Sequence, residues 1–270
     1  MKSGLTNYLL LMAMIWMNRS RLHLIDGREI PRGCTVLEAV PGVGNVGKLV
    51  VDGLLKEHPS KKLGWIVHPD FPPQSTLDQE GLMRPPRMDI WSIELHDGHE
   101  VLIITGLMQP LTASGQFEIS EKILEIASDS DAERLLVLAG RASTLEEREI
   151  HLVCSDPTVR DYLERESMPV SDTKPEGGMI GIAGLLISLS PDFGVPAIGI
   201  IADTIGTSSD VMAADRMASW IESNFGFNLG LGLDSTKETA KLLMESIDPS
   251  GSIDELLKGG EGEVSADFYV

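Results

Sequence analysis

The stretch PGVGNVGK, from Pro41 to Lys48, is the segment whose residue types and spacing point most directly to chemistry. Gly42, four further residues, Gly47 and Lys48 match the spacing of a phosphate-binding P-loop, in which backbone N–H groups surround the phosphate oxygens. A P-loop continues with Ser or Thr, which holds magnesium, but here the next residue is Leu49. The segment therefore lacks the metal ligand of that motif.

The same glycines also fit the G-x-G-x-x-G pattern of dinucleotide-binding turns, through Gly42, Gly44 and Gly47. In such sites an acidic residue about 20 positions later binds the ribose, and Asp70 in the loop-like segment HPDFPP is an ambiguous candidate. A structural interpretation needs no ligand, because glycines at a strand-to-helix turn permit a tight bend and close helix packing. The residues favour this interpretation, under which Lys48 is a solvated helix residue.

Other patterns give weaker support for chemistry. His96 and His99 resemble a metal-binding pair, but they flank a turn, where polar residues are expected, and no third ligand lies at a suitable spacing. The sequence contains no G-x-S-x-G elbow, and GTSSD at 206–210 is typical of a loop leading to a helix cap. We therefore predict no metal, no cofactor and no catalytic residue.

Short apolar strands alternate with helices along the chain. Strands are predicted at RLHLI, TVLEAV, KLGWIVH, RLLVLAG, EIHLVCSD and PAIGIIAD, and a hairpin is predicted around the Asp97-Gly98 turn. Helices are predicted after the glycine loop, at Phe117–Ala127, after Asp156-Pro157, at Met179–Leu189 and at Asp210–Phe225. This order predicts an α/β fold with a mostly parallel sheet and one antiparallel hairpin.

Composition restricts the class of partner. The 270 residues are 42% hydrophobic, which suits one large domain with or without an appendage. Forty-one acidic and 22 basic residues give a net charge of -19 without a Lys/Arg cluster, which argues against nucleic acid and anionic membranes as partners. Cys34 and Cys154 each lie in an apolar run, as expected of reduced core thiols in a cytoplasmic protein.

The two ends of the chain differ from its middle. The apolar block Tyr8–Met17 is too short to span a bilayer, which takes about 20 residues, and no small-x-small cleavage site follows it. We interpret residues 1–17 as an apolar N-terminal extension, or Met17 as the true start, and expect a chain starting there to fold. Residues 18–250 are predicted as the α/β domain, and 251–270 as a short helix, a flexible linker and a tail.

Four segments together resemble the archaeal branch of the proteasome assembly chaperone family, whose members are often labelled ATP-grasp-like. They are VPGVGNVGKLVVDGLL, HPDFPPQSTLDQEGLMRPP, ITGLMQPLTASGQFEISEKILEIA, and GMIGIAGLLISL followed by GVPAIGIIADT. The resemblance runs from about Leu37 to Ser223. It implies a three-layer α/β/α fold like that of nucleoside phosphorylases without their activity, a homo-oligomer, and a glycine loop that is a structural turn.

The function implied by this resemblance is that of a cytoplasmic, non-enzymatic proteasome assembly chaperone or activator. Phe268, Tyr269 and Val270 match the hydrophobic-tyrosine-any ending that proteasome activators insert between α-subunits. The preceding Gly259–Asp267 segment is predicted to be a flexible tether for this tail. The alternative is an ATP-dependent or nucleoside-handling enzyme that uses the Gly42–Lys48 loop.

Overall fold

The computed structural model describes residues 18–78, 80–144, 147–168, 170–206 and 209–232. The strands are β1 (Arg21–Leu24), β2 (Thr35–Ala39), β3 (Ser60–Val67), β4 (Thr76–Leu77), β5 (Met83–Arg84), β6 (Met88–Glu94), β7 (Glu100–Gly106), β8 (Arg134–Ala142), β9 (Ile150–Val153) and β10 (Ala197–Thr204). The α-helices are α1 (Val46–Glu57), α2 (Ala113–Asp129), α3 (Pro157–Arg165), α4 (Ile182–Leu189) and α5 (Val211–Phe225). Short 3-10 turns cover Val43–Asn45 and Ser190–Phe193.

One large sheet has the strand order β1-β3-β6-β7-β2-β8-β10-β9. Strands β7, β2, β8 and β10 are parallel neighbours, whereas β1-β3, β3-β6, β6-β7 and β10-β9 are antiparallel pairs. The prediction of a mostly parallel sheet is therefore wrong, because parallel pairing is confined to these four central strands and the strands on either flank pair antiparallel. Residues 143–149 between β8 and β9 are too few for the crossover of a dozen or more residues that parallel strands need, so β9 returns antiparallel.

Helices cover both faces of this sheet. Alternate residues of β2 point to opposite faces, so Leu37 belongs to the core shared with α1, α3 and α5, while Val36 belongs to the core shared with α2 and α4. The two apolar cores are contributed by residues such as Val50 and Met217 on the first face and Ile123 on the second. The predicted α/β class, a large sheet flanked by helices, is confirmed, whereas the likeness to nucleoside phosphorylases stays a prediction.

Local turn chemistry explains where several elements begin. The β6-β7 hairpin turns at the predicted Asp97-Gly98 pair, and Asp156 caps α3 just before Pro157. Helix α2 begins four residues before the predicted Phe117, because Thr112 caps it by accepting from the Gly115 N–H at 3.0 Å. Helix α4 begins three residues later than predicted, after Gly181, whose φ of 84° is left-handed.

Some predictions concern the membrane and the chain ends. Among the described residues, no helix is long and apolar enough to cross a membrane. Cys34 is buried, Cys154 is partly buried, and neither forms a disulfide. The apolar extension at 1–17, and the short helix, linker and tail predicted for 251–270, lie outside the described residues.

Candidate functional site

The glycine loop joins the end of β2 to α1 and packs directly on β8. The α-carbon of Gly47 faces the backbone carbonyl of Leu138, and that of Gly140 faces the carbonyl of Val43. A Cβ added at either glycine would overlap the opposing carbonyl. These glycines therefore allow α1 to approach the sheet closely, as the structural interpretation of the motif predicts.

The loop is also tied to the start of α5. Gly44 has a φ of 65°, and its α-carbon faces the Thr204 side chain at the end of β10. Its carbonyl accepts from the Asp210 N–H at 2.8 Å, while the Thr204 hydroxyl donates to the Asp210 carboxylate at 2.7 Å. Asp210 also caps α5 by accepting from the Ala213 N–H at 2.9 Å. The loop geometry is thus fixed by contacts within the protein.

Lys48 is not a solvated residue. Its side chain is only 3% exposed, and its ammonium forms an ion pair with Asp52 one helical turn later. The expectation of a solvated lysine is therefore wrong, because α1 buries this position along with Leu49 and Val50. In a P-loop the lysine reaches the phosphates, whereas here its charge is neutralised within the helix.

Asp70, the candidate ribose ligand, belongs to a different part of the molecule. Its carboxylate accepts from the Arg19 guanidinium at 2.8 and 3.0 Å and from the Thr112 hydroxyl, at the start of α2. These hydrogen bonds, that of Arg19 first, lower the pKa of Asp70 to about 2. Asp70 therefore joins the N-terminal chain to α2, and its hydrogen bonds do not place it at the glycine loop.

His68, two residues earlier, contributes to the same network and was not singled out by the sequence. Its Nδ1 accepts from the Asp70 N–H at 3.0 Å, so its Nε2 carries the proton and donates to Glu118 at 3.0 Å. Both ring nitrogens are therefore engaged, and His68 holds the HPDFPP segment on α2 rather than serving as a free base. The sequence signal that could have identified His68 is its position two residues before Asp70 in the Pro-rich segment HPDFPP.

The histidine pair around the β6-β7 turn is structural as well. The His96 ring lies 4.4 Å from the His58 ring, and the His99 Nδ1 lies 2.9 Å from a carboxylate oxygen of Asp97. Asp97 also accepts from the Asn228 N–H at 2.7 Å, which attaches the turn to the chain after α5. Within the described residues, no group of three His, Cys, Asp or Glu side chains is arranged to hold a metal ion.

Two buried acids, Glu38 and Asp203, each interrupt an apolar strand, and that interruption is their only signal in the sequence. Asp203 in β10 accepts from Arg141 at 2.7 Å, from His151 at 3.0 Å and from a backbone N–H. Burial alone would raise the pKa of Asp203, but these hydrogen bonds together lower it. Glu38 in β2 is fully buried, has no hydrogen-bond partner at either oxygen, and burial raises its pKa to about 8.

The carboxyl ends of the parallel strands carry exposed apolar side chains. Leu107 and Leu111 follow β7, Ile205 follows β10, and Met212 lies in the first turn of α5. Large apolar groups in water at the ends of several strands are typical of a surface that contacts another protein. This edge therefore combines closely packed glycine turns with exposed apolar side chains that suit association with another protein.

The sequence profile of the PAC2 family matches residues 36–248, which is most of the chain. The chain belongs to the PAC2 family. The matched region contains the glycine loop, the HPDFPP segment and both buried acids. It ends before Phe268, Tyr269 and Val270, so the match does not test the predicted tail.

Two solved structures share this fold, and a curated relative shares part of the sequence. PbaB of Pyrococcus furiosus, an archaeal proteasome activator, superimposes with a TM-score of 0.70 at 22% identity, covering 91% of this chain and 100% of PbaB. PbaA of the same organism, an archaeal homolog of proteasome-assembly chaperone, gives a TM-score of 0.68 at 19% identity, covering 88% and 99%. The Methanocaldococcus jannaschii protein MJ1210 is 26% identical over 182 residues, 66% of this chain and 69% of its own.

Proposed function

We propose that this PAC2 protein is a non-enzymatic proteasome assembly chaperone or activator that works as a homo-oligomer on the α-subunits of the core particle. The observation that carries the proposal is full-length similarity to PbaB, because the whole of that activator is covered by this fold. The exposed apolar residues at the carboxyl edge supply surface for contacts between proteins.

The docking element in this proposal is the terminal segment Phe268, Tyr269 and Val270. Tyr269 is the anchor, Phe268 fills apolar space beside it, and the carboxylate of Val270 pairs with a lysine of the α-subunit. The linker Gly259–Asp267 gives the tail an r.m.s. reach of roughly 17 Å, by the scaling for flexible chains. Several tails on one oligomer bind with avidity, so each contact can be weak.

An ATP-dependent or nucleoside-handling enzyme is the competing function, and the glycine loop argues against it. Gly44 and Gly47 are occupied by contacts with the sheet, and Lys48 is paired with Asp52. A ligand that binds the native state at 100 times its Kd stabilises it by about 2.7 kcal/mol. Because the loop is filled by contacts within the protein, we expect the Tm to stay unchanged when ATP, ADP or purine nucleosides are added, with or without magnesium.

Native mass spectrometry of the protein, alone and with core-particle subunits, tests the proposal directly. We expect a homo-oligomer that forms a complex with α-subunits at low micromolar protein. If the protein binds no core-particle subunit but is stabilised by a nucleotide, the enzyme function would replace this proposal. Tail variants then separate the docking element from the rest of the surface.

A further inference from the structure

An apolar groove of about 770 Å³ lies on the α2/α4 face of the sheet. Its apolar lining is formed by residues of α2, of β9, and of α4 and the loop before it, including Phe117, Val153, Met179, Ile180, Leu185 and Ile187. Phe117 is 40% exposed and Ile180 is 76% exposed. Covering such side chains is favourable by about 25 cal/mol per Å² of apolar area removed from water, so the groove favours an apolar occupant.

The chain enters the described structure beside this groove. Asn18 donates from its side-chain amide to the Glu118 carbonyl at 2.7 Å and to the Glu121 carboxylate at 3.3 Å, on the surface of α2. Arg19 pairs with the Glu118 carboxylate at 2.9 Å. Glu121 lies one helical turn after Phe117 on the same side of α2, so the polypeptide that precedes Asn18 starts within about one turn of a groove-lining residue.

That preceding polypeptide has the composition of an occupant. The ten residues Tyr8–Met17 are all apolar or aromatic and carry no charge. Extended, they reach at most roughly 33 Å, and the groove runs beside α4, which is about 12 Å long. The segment is therefore long enough to cross the groove and cover both Phe117 and Ile180.

The other end of the chain is less well placed to fill the groove. The last described residues pack on the opposite face of the sheet, where Leu229 and Leu231 join the core formed with α1 and α5. Leu231 also lies against Gly53 of α1. The C-terminal segment thus departs from the α1/α5 face, while the N-terminal block departs from the face that carries the groove.

We propose that residues 8–17 dock in the α2/α4 groove of their own chain and shield its apolar lining from water. The block is then an intramolecular cap, and the anchor formed by Asn18 and Arg19 on α2 sets its starting point. The proposal is independent of proteasome binding. It also agrees with the expectation that a chain starting at Met17 folds, because the cap covers the finished core without belonging to it.

Cys154 lines the groove and offers a native probe of the cap. Labelling of this thiol by a maleimide, quantified by peptide mass spectrometry, is compared between the full chain and a chain starting at Met17. We expect labelling to be at least about tenfold faster without the block, because protection scales with the equilibrium constant for covering the groove. Cys34, which is buried immediately before β2, serves as the internal control and keeps its rate of labelling.

A full-length pair of variants keeps the test valid if the shortened chain folds poorly. Leu10→Asp with Met14→Asp places two charges in the block, whereas Lys2→Asp with Ser3→Asp places two acids before it. The first variant is expected to label Cys154 as fast as the shortened chain, and the second at the wild-type rate. Equal rates in the wild type and in the variant with a charged block would overturn the proposal.

A second copy of the chain is the rival occupant, and dilution distinguishes it. An intramolecular cap protects Cys154 equally from about 0.1 to 100 μM protein, since its effective concentration is set by the chain itself. Protection that disappears on dilution, or that survives in the chain starting at Met17, would assign the groove to contacts between copies and overturn the cap.

Discussion

The α-carbon of Gly47 lies directly against the backbone carbonyl of Leu138, so helix α1 touches strand β8 with no side chain between them. Gly47→Ala places a methyl group into that carbonyl, which cannot move without displacing the central sheet. We expect the substitution to lower the free energy of unfolding by at least about 2 kcal/mol. Urea denaturation followed by circular dichroism measures this change.

Gly42→Ala is the matched control within the same motif. Its φ of -162° is open to any residue, and the nearest atom to an added Cβ is 3.9 Å away. We expect a change within about 0.5 kcal/mol, as for a surface substitution. Comparable losses at Gly42 and Gly47 would mean that the loop needs its glycines for something other than helix packing.

The buried ion pair between Lys48 and Asp52 gives a second prediction. Lys48→Ala removes the cation and leaves the partly buried Asp52 carboxylate unpaired, so we expect a loss of about 2 kcal/mol in unfolding free energy. The double variant Lys48→Met with Asp52→Leu removes both charges and fills their space, and is expected to recover most of that loss. Affinity for core particle is expected to be unchanged in both proteins if the loop is structural.

The structural role of the glycine loop was predicted correctly from the sequence, whereas the burial of Lys48 was not. Glycine spacing and the following apolar stripe follow from local rules, so the turn and α1 were predictable. The burial of Lys48 depends on how closely α1 approaches the sheet, which is set by Gly47 and by Leu138, 91 positions later. Contacts between residues so distant in sequence leave no local pattern.

In the sheet and in the candidate site, too, the features set by neighbouring residues are the predictable ones. The Asp97-Gly98 turn fixes the β6-β7 hairpin, and helix caps such as Asp156 are legible from neighbouring residues. The antiparallel pairing of β3 with β6 could not be predicted, because a strand that follows a helix can pair with its neighbour in either direction. The His68 and Asp203 networks join residues 50 or more positions apart, and only the fold reveals them.

Glu38 predicts an unusual pH dependence of stability. Burial without a hydrogen-bond partner raises its pKa to about 8 in the folded protein, above its ordinary value of about 4.3 in an unfolded chain. Between these values the folded state holds a proton that the unfolded state has lost. Stability therefore falls as pH rises through this window, by up to about 1.4 kcal/mol per pH unit, and levels off above the folded pKa.

Glu38→Leu removes this titration and tests its origin. We expect the stability of the variant relative to wild type to increase by roughly 3 to 4 kcal/mol from pH 5, where the wild-type carboxyl is protonated when folded, to pH 8, where about half of it has ionised. Urea midpoints at pH 5, 6.5 and 8 measure the difference. Glu94→Gln, at the exposed end of β6, corrects for the general effect of lowering the negative charge. A pH-independent difference would show that Glu38 does not titrate in this window.

Asp203 predicts sensitivity at the acidic end. Its folded pKa is lowered despite burial, so its contribution to stability is present above its ordinary pKa and is lost as pH falls through the lower folded value. Asp203→Asn leaves Arg141 without its buried partner, and we expect a loss of about 3 kcal/mol at pH 7. Glu147→Gln, which removes the exposed partner of the same arginine, is expected to cost much less. Equal losses in the two variants would contradict a central role for Asp203.

Tyr269 gives the prediction that bears most directly on function. If Tyr269 anchors the tail in a pocket between α-subunits, Tyr269→Ala costs about 2 kcal/mol per tail, near thirtyfold in affinity for the core particle. One residue appended after Val270 is expected to be nearly as damaging, because it displaces the carboxylate that pairs with the pocket lysine. Ser265→Ala in the linker is the matched control and is expected to bind like wild type. The free energy of unfolding and the oligomer size are expected to be the same in all variants, because none of the substitutions touches a residue of the two apolar cores. Binding to intact core particle and to free α-subunits measures these effects for the wild type, the Tyr269 variant, the extended chain and a deletion of the last three residues. Equal affinities for all four would remove the tail from the mechanism and leave the apolar carboxyl edge of the sheet as the surface to test next.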